Sequence, residues 1–329
     1  MDNSRCNHSY NSVFKTEIEN YIELKINLGH TFIGEPYMLK TLDDYLCLIN
    51  HSEKVLSAPV IEGWQGSLQK HDNTIVRYTT TYRRFAIHLN ALGYEAYIPI
   101  NNRYKHDFKP HIFTENELER IFNASDNLTT KMPFINTPIT FPVLVRVLFG
   151  CGLRISEALH LKLKDVRIDE GVLFIRNAKG KKDRIVPMHP SLCEICSLYI
   201  RAIHMNSSAD DCFFPSRSTR DNIYVTQSWA HYNLKKVLEI AGVDLSKNDD
   251  NNRAVSLHNF RHTFAVKSLA NQQAAGIDCY YSVPILSTYL GHENIYGTER
   301  YLQLTSEYYQ SIIEKSSAYS ECIFPEGLL

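Results

Sequence analysis

The sequence lacks the features that would place it in a membrane or outside the cell. Its first residues, Met1 to Cys6, contain no apolar run of the kind that a secretory signal needs. Its most apolar window, Phe141 to Leu153, is too short to span a bilayer and contains Arg146. Only Cys193 and Cys196 form a close cysteine pair, which by itself does not indicate a zinc site. We therefore expect a cytoplasmic protein with reduced thiols and no bound metal.

An excess of charge is also missing, since the net charge is −1 at pH 7. Composition alone therefore does not indicate a nucleic-acid-binding protein. The basic residues are unevenly placed, however: six of them stand against two acidic residues between positions 77 and 109, and nine against five between 154 and 184. Local basic surfaces of this kind can bind phosphate groups while acidic patches elsewhere balance the total.

The hydrophobic pattern predicts a mainly α protein with two domains. Of the 329 residues, 44% are hydrophobic, a length and a fraction that suit two or three globular domains. Residues 11–95 repeat apolar positions at helical spacing, which predicts an all-helical N-terminal domain. Residues 96–112 carry prolines near both ends, show little periodicity and are basic, which predicts a linker.

The second domain, at 113–320, is predicted to be α+β with a small antiparallel sheet. Thr114 with Glu117 three residues later has the capping-box pattern of a helix start. Two short runs, 172–175 and 184–187, flank a lysine-rich turn and read as paired strands. Helices dominate from residue 191 onward. The sequence shows no internal repeat and no low-complexity tract.

Four segments of the second domain combine residue types that can handle a phosphate group. They are Gly150–Leu159 with Arg154 at a helix start, Ala178–Arg184 with its lysines, Leu257–Ala265 with His258 and Arg261, and Leu290–Tyr301 with His292. Two arginines can bind the non-bridging oxygens of a phosphodiester and neutralise charge in the transition state. A lysine can protonate a leaving oxygen, and a tyrosine can attack if neighbouring cations or a base help it to ionise. Because no carboxylate cluster for Mg²⁺ stands out, the set favours phosphoryl transfer without a metal.

This pattern resembles the tyrosine recombinases of the phage integrase family, which include the Xer and Cre-like enzymes. The family features are G-L-R-x-S-E, a hairpin lysine, H-x-x-R, and L-G-H followed nine residues later by a tyrosine, all present in this order. The resemblance covers residues 110–315, and the N-terminal half matches the helical core-binding domain of the family only in character. Phe260 stands where the family usually carries leucine, a change expected to affect packing alone.

The resemblance implies a role for each of six residues. Arg154 and Arg261 would bind the phosphate, His258 would assist proton transfer, His292 would hydrogen-bond the scissile phosphate, Lys179 would protonate the departing 5′-hydroxyl, and Tyr301 would attack. The product would be a 3′-phosphotyrosyl bond that stores the energy for rejoining. The resemblance therefore implies that the reaction needs no cofactor, neither ATP nor a metal.

The resemblance also implies the partners of the protein. Double-stranded DNA at specific recombination sites would be bound by a homotetramer, with a C-terminal segment near 306–316 packed onto the neighbouring copy. We leave open an accessory DNA-bending or directionality protein, and we expect no membrane partner and no additional arm-binding domain. Candidates for contacts with DNA phosphates are Arg77, Arg83, Arg84, Arg103 and Lys105.

Two of these assignments depend on the resemblance rather than on chemistry. Lys179 competes with Lys181 and Lys182 in the same turn. Tyr301 competes with three nearby tyrosines, and only its position relative to His292 selects it. The nearby tyrosines are Tyr296, Tyr308 and Tyr309. His262 is interpreted as a packing residue beside the site, and Glu157 as a partner that holds an arginine.

We expect the protein to be an integrase or transposon recombinase of a mobile element. A chromosome-dimer resolvase of the Xer type is the nearest alternative. A DNA-binding protein that keeps the fold without useful catalysis and a type IB topoisomerase also remain open. A zinc hydrolase using His258, His262 and His292 is disfavoured because Arg261 would repel the metal.

Overall fold

The structure is a computed structural model that describes residues 8–30, 34–100, 109–129, 136–176, 183–216, 224–243 and 255–308. The chain divides into two compact units, Met1–Asp107 and Phe108–Leu329. The predicted mainly helical fold with a small antiparallel sheet is confirmed. Within the described ranges, no helix is both long enough and apolar enough to cross a bilayer.

The described part of the first unit contains four helices. They are α1 (Lys15–Asn27), α2 (Glu35–Leu48), α3 (Ala58–Ser67) and α4 (Asp72–Ala91). Their apolar faces meet in one core, in which the largest buried side chains are Phe14, Tyr21, Trp64, Tyr82 and Phe85. The periodic apolar stripes of the sequence therefore became helix–helix contacts.

A short parallel pair of strands adds to the helices of this unit. Strand β1 (Val55–Leu56) pairs with β2 (Glu95–Ala96), which follows the end of α4. Asn90 secures β2, because its side chain accepts from the Ala96 amide at 2.8 Å and donates to the Ala96 carbonyl at 2.9 Å. A strand of two residues is too short to show the alternation of apolar and polar residues that indicates a strand, so the sequence does not predict β1 and β2.

The second unit places a small sheet among eight helices in its described part. The helices are α5 (Glu115–Asp126), α6 (Thr137–Cys151), α7 (Ile155–Leu159), α8 (Pro190–Ile203), α9 (Gln227–Ile240), α10 (His258–Ala274), α11 (Cys279–Leu290) and α12 (Tyr296–Tyr308). The strands β3 (Val166–Arg167), β4 (Val172–Ile175) and β5 (Arg184–Pro187) form an antiparallel sheet in the order β3-β4-β5. The two strands read from the sequence are β4 and β5, and β3 was not anticipated.

Helix α6 lies at the centre of this unit. Its side chains are buried almost all round, as a helix in the middle of a core must be, and it packs against α5, α8 and α10. The capping box predicted at the start of α5 is present, with Thr114 Oγ1 accepting from the Glu117 amide at 3.2 Å and Glu117 Oε2 accepting from the Thr114 amide at 2.8 Å.

Left-handed glycines end the two helices that lead into the predicted site. Gly152 follows α6 with φ of 58°, and Gly291 follows α11 with φ of 65°. Glycine adopts this conformation without the steric cost that a Cβ brings. The chain turns sharply at each glycine, so that Arg154 and His292 come within a few residues of a helix end.

Candidate active site

Five of the six predicted site residues of the second unit lie in described segments, and they converge where α7 begins, α10 begins and α11 ends. Arg154 stands at the start of α7, His258 and Arg261 on the first turn of α10, His292 just after α11, and Tyr301 on α12. Helix α10 packs against α6, α11 and α12, which brings these segments together. The ring of His292 stacks on that of Tyr301, with 6.3 Å between centroids.

Three arginines bind the carboxyl end of α11. Arg184 Nε donates to the Tyr289 carbonyl at 2.8 Å, and Arg261 Nη2 donates to the Leu290 carbonyl at 2.7 Å. Arg154 Nη2 donates to the Gly291 carbonyl at 3.3 Å. The last carbonyls of a helix have no partner within the helix and carry its partial negative charge. This helix end therefore orients three guanidinium groups toward one place.

Glu157 is the carboxylate that these arginines share. It accepts from Arg154 Nη1 at 2.8 Å and from both terminal nitrogens of Arg184, and its Oε2 lies 3.8 Å from Arg261 Nη1. Burial alone would raise the pKa of Glu157, but the hydrogen bonds and charge of Arg184, and then those of Arg154, lower it to about 2. Glu157 is therefore a fixed anion and not a proton acceptor, consistent with its interpretation as a residue that holds an arginine.

Arg261 is a fully buried cation. Its side chain donates to the carbonyls of Gly152 at 2.9 Å and Leu290 at 2.7 Å. Burial, together with the nearby charge of Arg154, lowers its pKa to about 10, so it remains charged at neutral pH. Three guanidinium groups around one carboxylate leave an excess of positive charge, which an anion bound at this place would compensate.

The two predicted histidines are neutral near pH 7. Desolvation, followed by the charges of Arg261 and Arg154, lowers the pKa of His258 to about 4 and that of His292 to about 4. His292 Nδ1 lies 2.7 Å from Thr298 Oγ1. A neutral imidazole has one nitrogen that donates and one that accepts, so each ring can hydrogen-bond a phosphate or pass a proton.

Tyr301 is almost fully buried, at 3% exposure. Burial raises the pKa of its phenol, while the charges of Arg261 and Arg154 act in the opposite direction. Its hydroxyl oxygen lies 3.0 Å from Nδ1 of His262. The sequence predicts only a packing role for His262, and no local signal points to this contact, because the two residues lie 39 positions apart.

Arg184 is a second residue whose place in the site the sequence did not reveal. It stands at the first position of β5, opposite Ile175 of β4, at the base of the lysine-rich turn. The sequence contained a weak signal, since Arg184 ends the same basic segment that holds Lys179. Lys179 itself lies outside the described residues.

The candidates for DNA-phosphate contacts in the first unit fall into three groups. Arg77 and Arg84 are exposed and lie seven residues apart on α4, which places them on one face. Arg83 is half-buried, and its guanidinium donates to the carbonyl of Pro99. Arg103 and Lys105 lie outside the described residues.

The described part of the chain contains no group of three or more His, Cys, Asp or Glu side chains arranged to hold a metal ion. His258 and His262 do lie close together, with ring centroids 4.5 Å apart and the rings nearly perpendicular. This arrangement is an edge-to-face ring contact, and Arg261 lies on the same turn of α10.

The sequence comparisons agree on one family of proteins. The sequence model described as the phage integrase family matches residues 111–307. The integrase/recombinase y4rE of Sinorhizobium fredii is 27% identical over 297 residues, which are 87% of this chain and 90% of that protein. Tyrosine recombinase XerA of Pyrococcus horikoshii is 29% identical over 208 residues, 63% of this chain and 61% of XerA. The matches to XerA, XerC and XerD proteins span between 53% and 61% of the length of those relatives.

A solved structure shows the same fold over most of the chain. The XerH site-specific recombinase bound to a palindromic difH substrate, in a post-cleavage complex, superposes with a TM-score of 0.62 at 18% identity. The superposition covers 93% of this chain and 85% of XerH. At this identity the similarity shows the fold alone.

Proposed function

The chain belongs to the phage integrase family, and from this premise we propose that it is a site-specific DNA recombinase. It cleaves and rejoins DNA through a 3′-phosphotyrosyl intermediate formed on Tyr301. Its substrate is double-stranded DNA that carries a recombination site, and four copies of the chain act together on two such sites. An accessory DNA-bending or directionality protein would join this complex at some sites.

The observation that supports this proposal most strongly is the excess of positive charge beside the Tyr301 phenol. Arg154 and Arg261 both lie close enough to act on its ionisation, and the carboxylate they contact, Glu157, is shared with Arg184. A phosphodiester carries one negative charge and offers two non-bridging oxygens to guanidinium groups. The site is therefore complementary to the phosphate that the phenol would attack.

The proposed reaction assigns each group one task. The Tyr301 oxygen forms a bond to phosphorus while the bond from phosphorus to the 5′-oxygen breaks. Arg154 and Arg261 bind the non-bridging oxygens and stabilise the charge that develops on them. Because Thr298 occupies Nδ1 of His292, the Nε2 of that ring is the nitrogen that donates to the phosphate. His258 takes part in proton transfer, and Lys179 protonates the departing 5′-oxygen.

The proposed intermediate explains why strand exchange needs no external energy. Cleavage replaces one phosphate ester with another, so the energy of the DNA bond is kept in the tyrosyl ester and returned on rejoining. The arginines supply the positive charge that a metal ion supplies in other phosphoryl-transfer sites. The proposal therefore includes neither ATP nor a metal cofactor.

We assign this reaction to a mobile element. The likeness to an integrase/recombinase of Sinorhizobium fredii and to tyrosine recombinases XerA and XerD leaves two roles open for this chain, movement of an element and resolution of chromosome dimers. Recombination assays with the DNA that flanks the gene separate them. Joining of element ends to a second, different site supports the first role, and resolution between two copies of one chromosomal site supports the second.

Covalent trapping on nicked DNA tests the proposed chemistry. Duplexes tiled from the flanking DNA and nicked near the cleavage position should give a protein–DNA adduct with the wild type and none with Tyr301→Phe. Tyr296→Phe is the matched control, because Tyr296 is 74% exposed on the same helix and should leave the adduct intact. An adduct that persists in Tyr301→Phe refutes the assigned nucleophile. Specific binding without any adduct supports a binding protein instead.

A further inference from the structure

The hydroxyl of Tyr301 has a partner that the family comparison does not supply. Nδ1 of His262 lies 3.0 Å from the phenol oxygen, and the two ring centroids are 5.6 Å apart. His258, to which the resemblance assigns proton transfer, contacts His262 edge-on rather than reaching this hydroxyl. The ring that touches the attacking atom is therefore that of His262.

The charge states of the two groups determine the direction of this hydrogen bond. Burial, followed by electrostatic interactions with His258, Arg300 and Arg261, lowers the pKa of His262 to about 3, so its ring is neutral at pH 7. Burial raises the pKa of the Tyr301 phenol, which therefore keeps its proton. A protonated hydroxyl facing a neutral imidazole donates to the nitrogen that carries no hydrogen, which places the ring hydrogen on Nε2.

We propose that His262 is a further catalytic residue, whose Nδ1 orients the Tyr301 hydroxyl and receives its proton as the phenol attacks the phosphate. This inference rests on the proposed function. An oxygen lone pair of Tyr301 forms the bond to phosphorus, and the phenol proton moves to Nδ1. The bond from phosphorus to the 5′-oxygen breaks with its electrons on that oxygen, which takes a proton from the acid of the site. Rejoining returns the Nδ1 proton to Tyr301.

The substrate itself makes His262 a better proton acceptor. Part of the depression of its basicity comes from positive charge near it, including that of Arg261. A phosphate anion bound by Arg154 and Arg261 opposes this charge and so favours the imidazolium form. Without DNA, His262 is a neutral acceptor that holds the phenol in place. With the phosphate bound, it becomes able to take the proton.

Rates of adduct formation on the nicked substrate test the role of this histidine. His262→Ala should slow the rate about 10²-fold, the lower end of what a positioned acid or base contributes, with DNA affinity and thermal unfolding unchanged. His262→Asn should form the adduct at a rate between those of the wild type and His262→Ala, because the asparagine amide oxygen can occupy the place of Nδ1. The matched control is His231→Ala, since His231 is exposed on α9 and should leave the rate as in the wild type. A wild-type rate in folded His262→Ala would overturn the proposal.

Two chemical readouts separate a catalytic role from a structural one. A 5′-bridging phosphorothiolate substrate has a leaving group that needs no proton, so it should not restore the rate of His262→Ala. Added imidazole can enter the space left by the missing ring and should restore part of the rate. Recovery of the His262→Ala rate on the phosphorothiolate would place His262 at the leaving group. If imidazole did not raise the rate of His262→Ala, and His262→Asn were as slow as His262→Ala, only a packing role would remain. Both results contradict the proposal.

A measurement without DNA distinguishes failure of this proposal from failure of the proposed function. With 3-fluorotyrosine at position 301, the ¹⁹F resonance should shift in His262→Ala and shift less in His262→Asn. An unchanged resonance refutes the contact, whatever the recombination assays give. A shifted resonance together with a wild-type protein that forms no adduct supports the contact and refutes the recombinase assignment.

Discussion

Arg184 and Glu157 form a two-point ion pair in the interior of the second unit. Nη1 and Nη2 of the arginine donate to the two carboxylate oxygens at 3.0 Å and 2.8 Å, and the side chains are only 11% and 6% exposed. Glu157 also binds Arg154, and Arg184 also binds the carbonyl of Tyr289. The pair therefore links β5, the start of α7 and the end of α11. Through Glu157 it also fixes the position of Arg154.

Breaking this pair should destabilise the protein strongly. Arg184→Met leaves a buried carboxylate with one fewer cation, so we expect the free energy of unfolding to fall by about 3 kcal/mol, as measured by urea denaturation. Lys164→Met is the control, because Lys164 and its partner Asp210 are largely exposed and solvent screens their pair, so its loss should change the free energy of unfolding little. Equal losses for the two variants would contradict the structural role of Arg184.

The low pKa of Glu157 predicts a specific dependence of stability on pH. Its folded-state pKa of about 2 lies below the ordinary value of 4.5, so the unfolded state binds its proton first as the pH falls. The stabilisation is complete above about pH 4.5 and disappears as the pH falls toward 2. The difference in unfolding free energy between wild type and Glu157→Gln should therefore be large at pH 6 and shrink as the pH falls toward 3. A difference that does not change with pH would refute the shift.

Gly152→Ala should harm both stability and the site. Gly152 has a left-handed backbone, and a Cβ there would lie 2.5 Å from the ring of Phe264. Gly276 is the matched control, because its φ is 79° and a Cβ would meet nothing within 4 Å. Both variants incur the backbone cost of about 1 kcal/mol, and Gly152→Ala adds about 1–3 kcal/mol for repacking.

The Gly152 carbonyl is also an acceptor for Arg261, so repacking there should slow adduct formation. Gly276→Ala should leave that rate unchanged. Thermal denaturation and the trapping assay together check both expectations. Equal destabilisation by the two substitutions would show that the ring of Phe264 moves aside freely.

The arginines of α4 should differ in their effects on DNA binding. Arg77→Ala and Arg84→Ala should each weaken binding and reduce the slope of log affinity against log salt by about 1, as expected for lost phosphate contacts. Arg83→Ala should change that slope less, because its guanidinium is engaged by the Pro99 carbonyl. Fluorescence anisotropy over a range of salt concentrations measures these slopes. A full loss of one slope unit in Arg83→Ala would show that this arginine leaves Pro99 to contact DNA.

Some features of the protein could be read from neighbouring residues. The capping box of Thr114 and Glu117 depends on groups three positions apart, and the spacing of apolar residues in α4 depends on one helical period. The order of the arginine, histidine and tyrosine motifs was enough to indicate the family. The parallel pair β1 and β2 was missed because each strand has two residues and its partner lies about 40 positions away.

By itself, the sequence determined the mainly helical fold class, the family and the set of residues from which a site could be built, because these follow from local periodicity and motif order. The tertiary structure decided which of those residues meet. The contact of His262 with Tyr301 spans 39 positions, and the three arginines of the site reach one helix end from different segments. Such contacts depend on the packing of α10 against α11 and α12 and on the turn at Gly291. Packing of this kind is a property of the whole core, so no spacing within the chain specifies it.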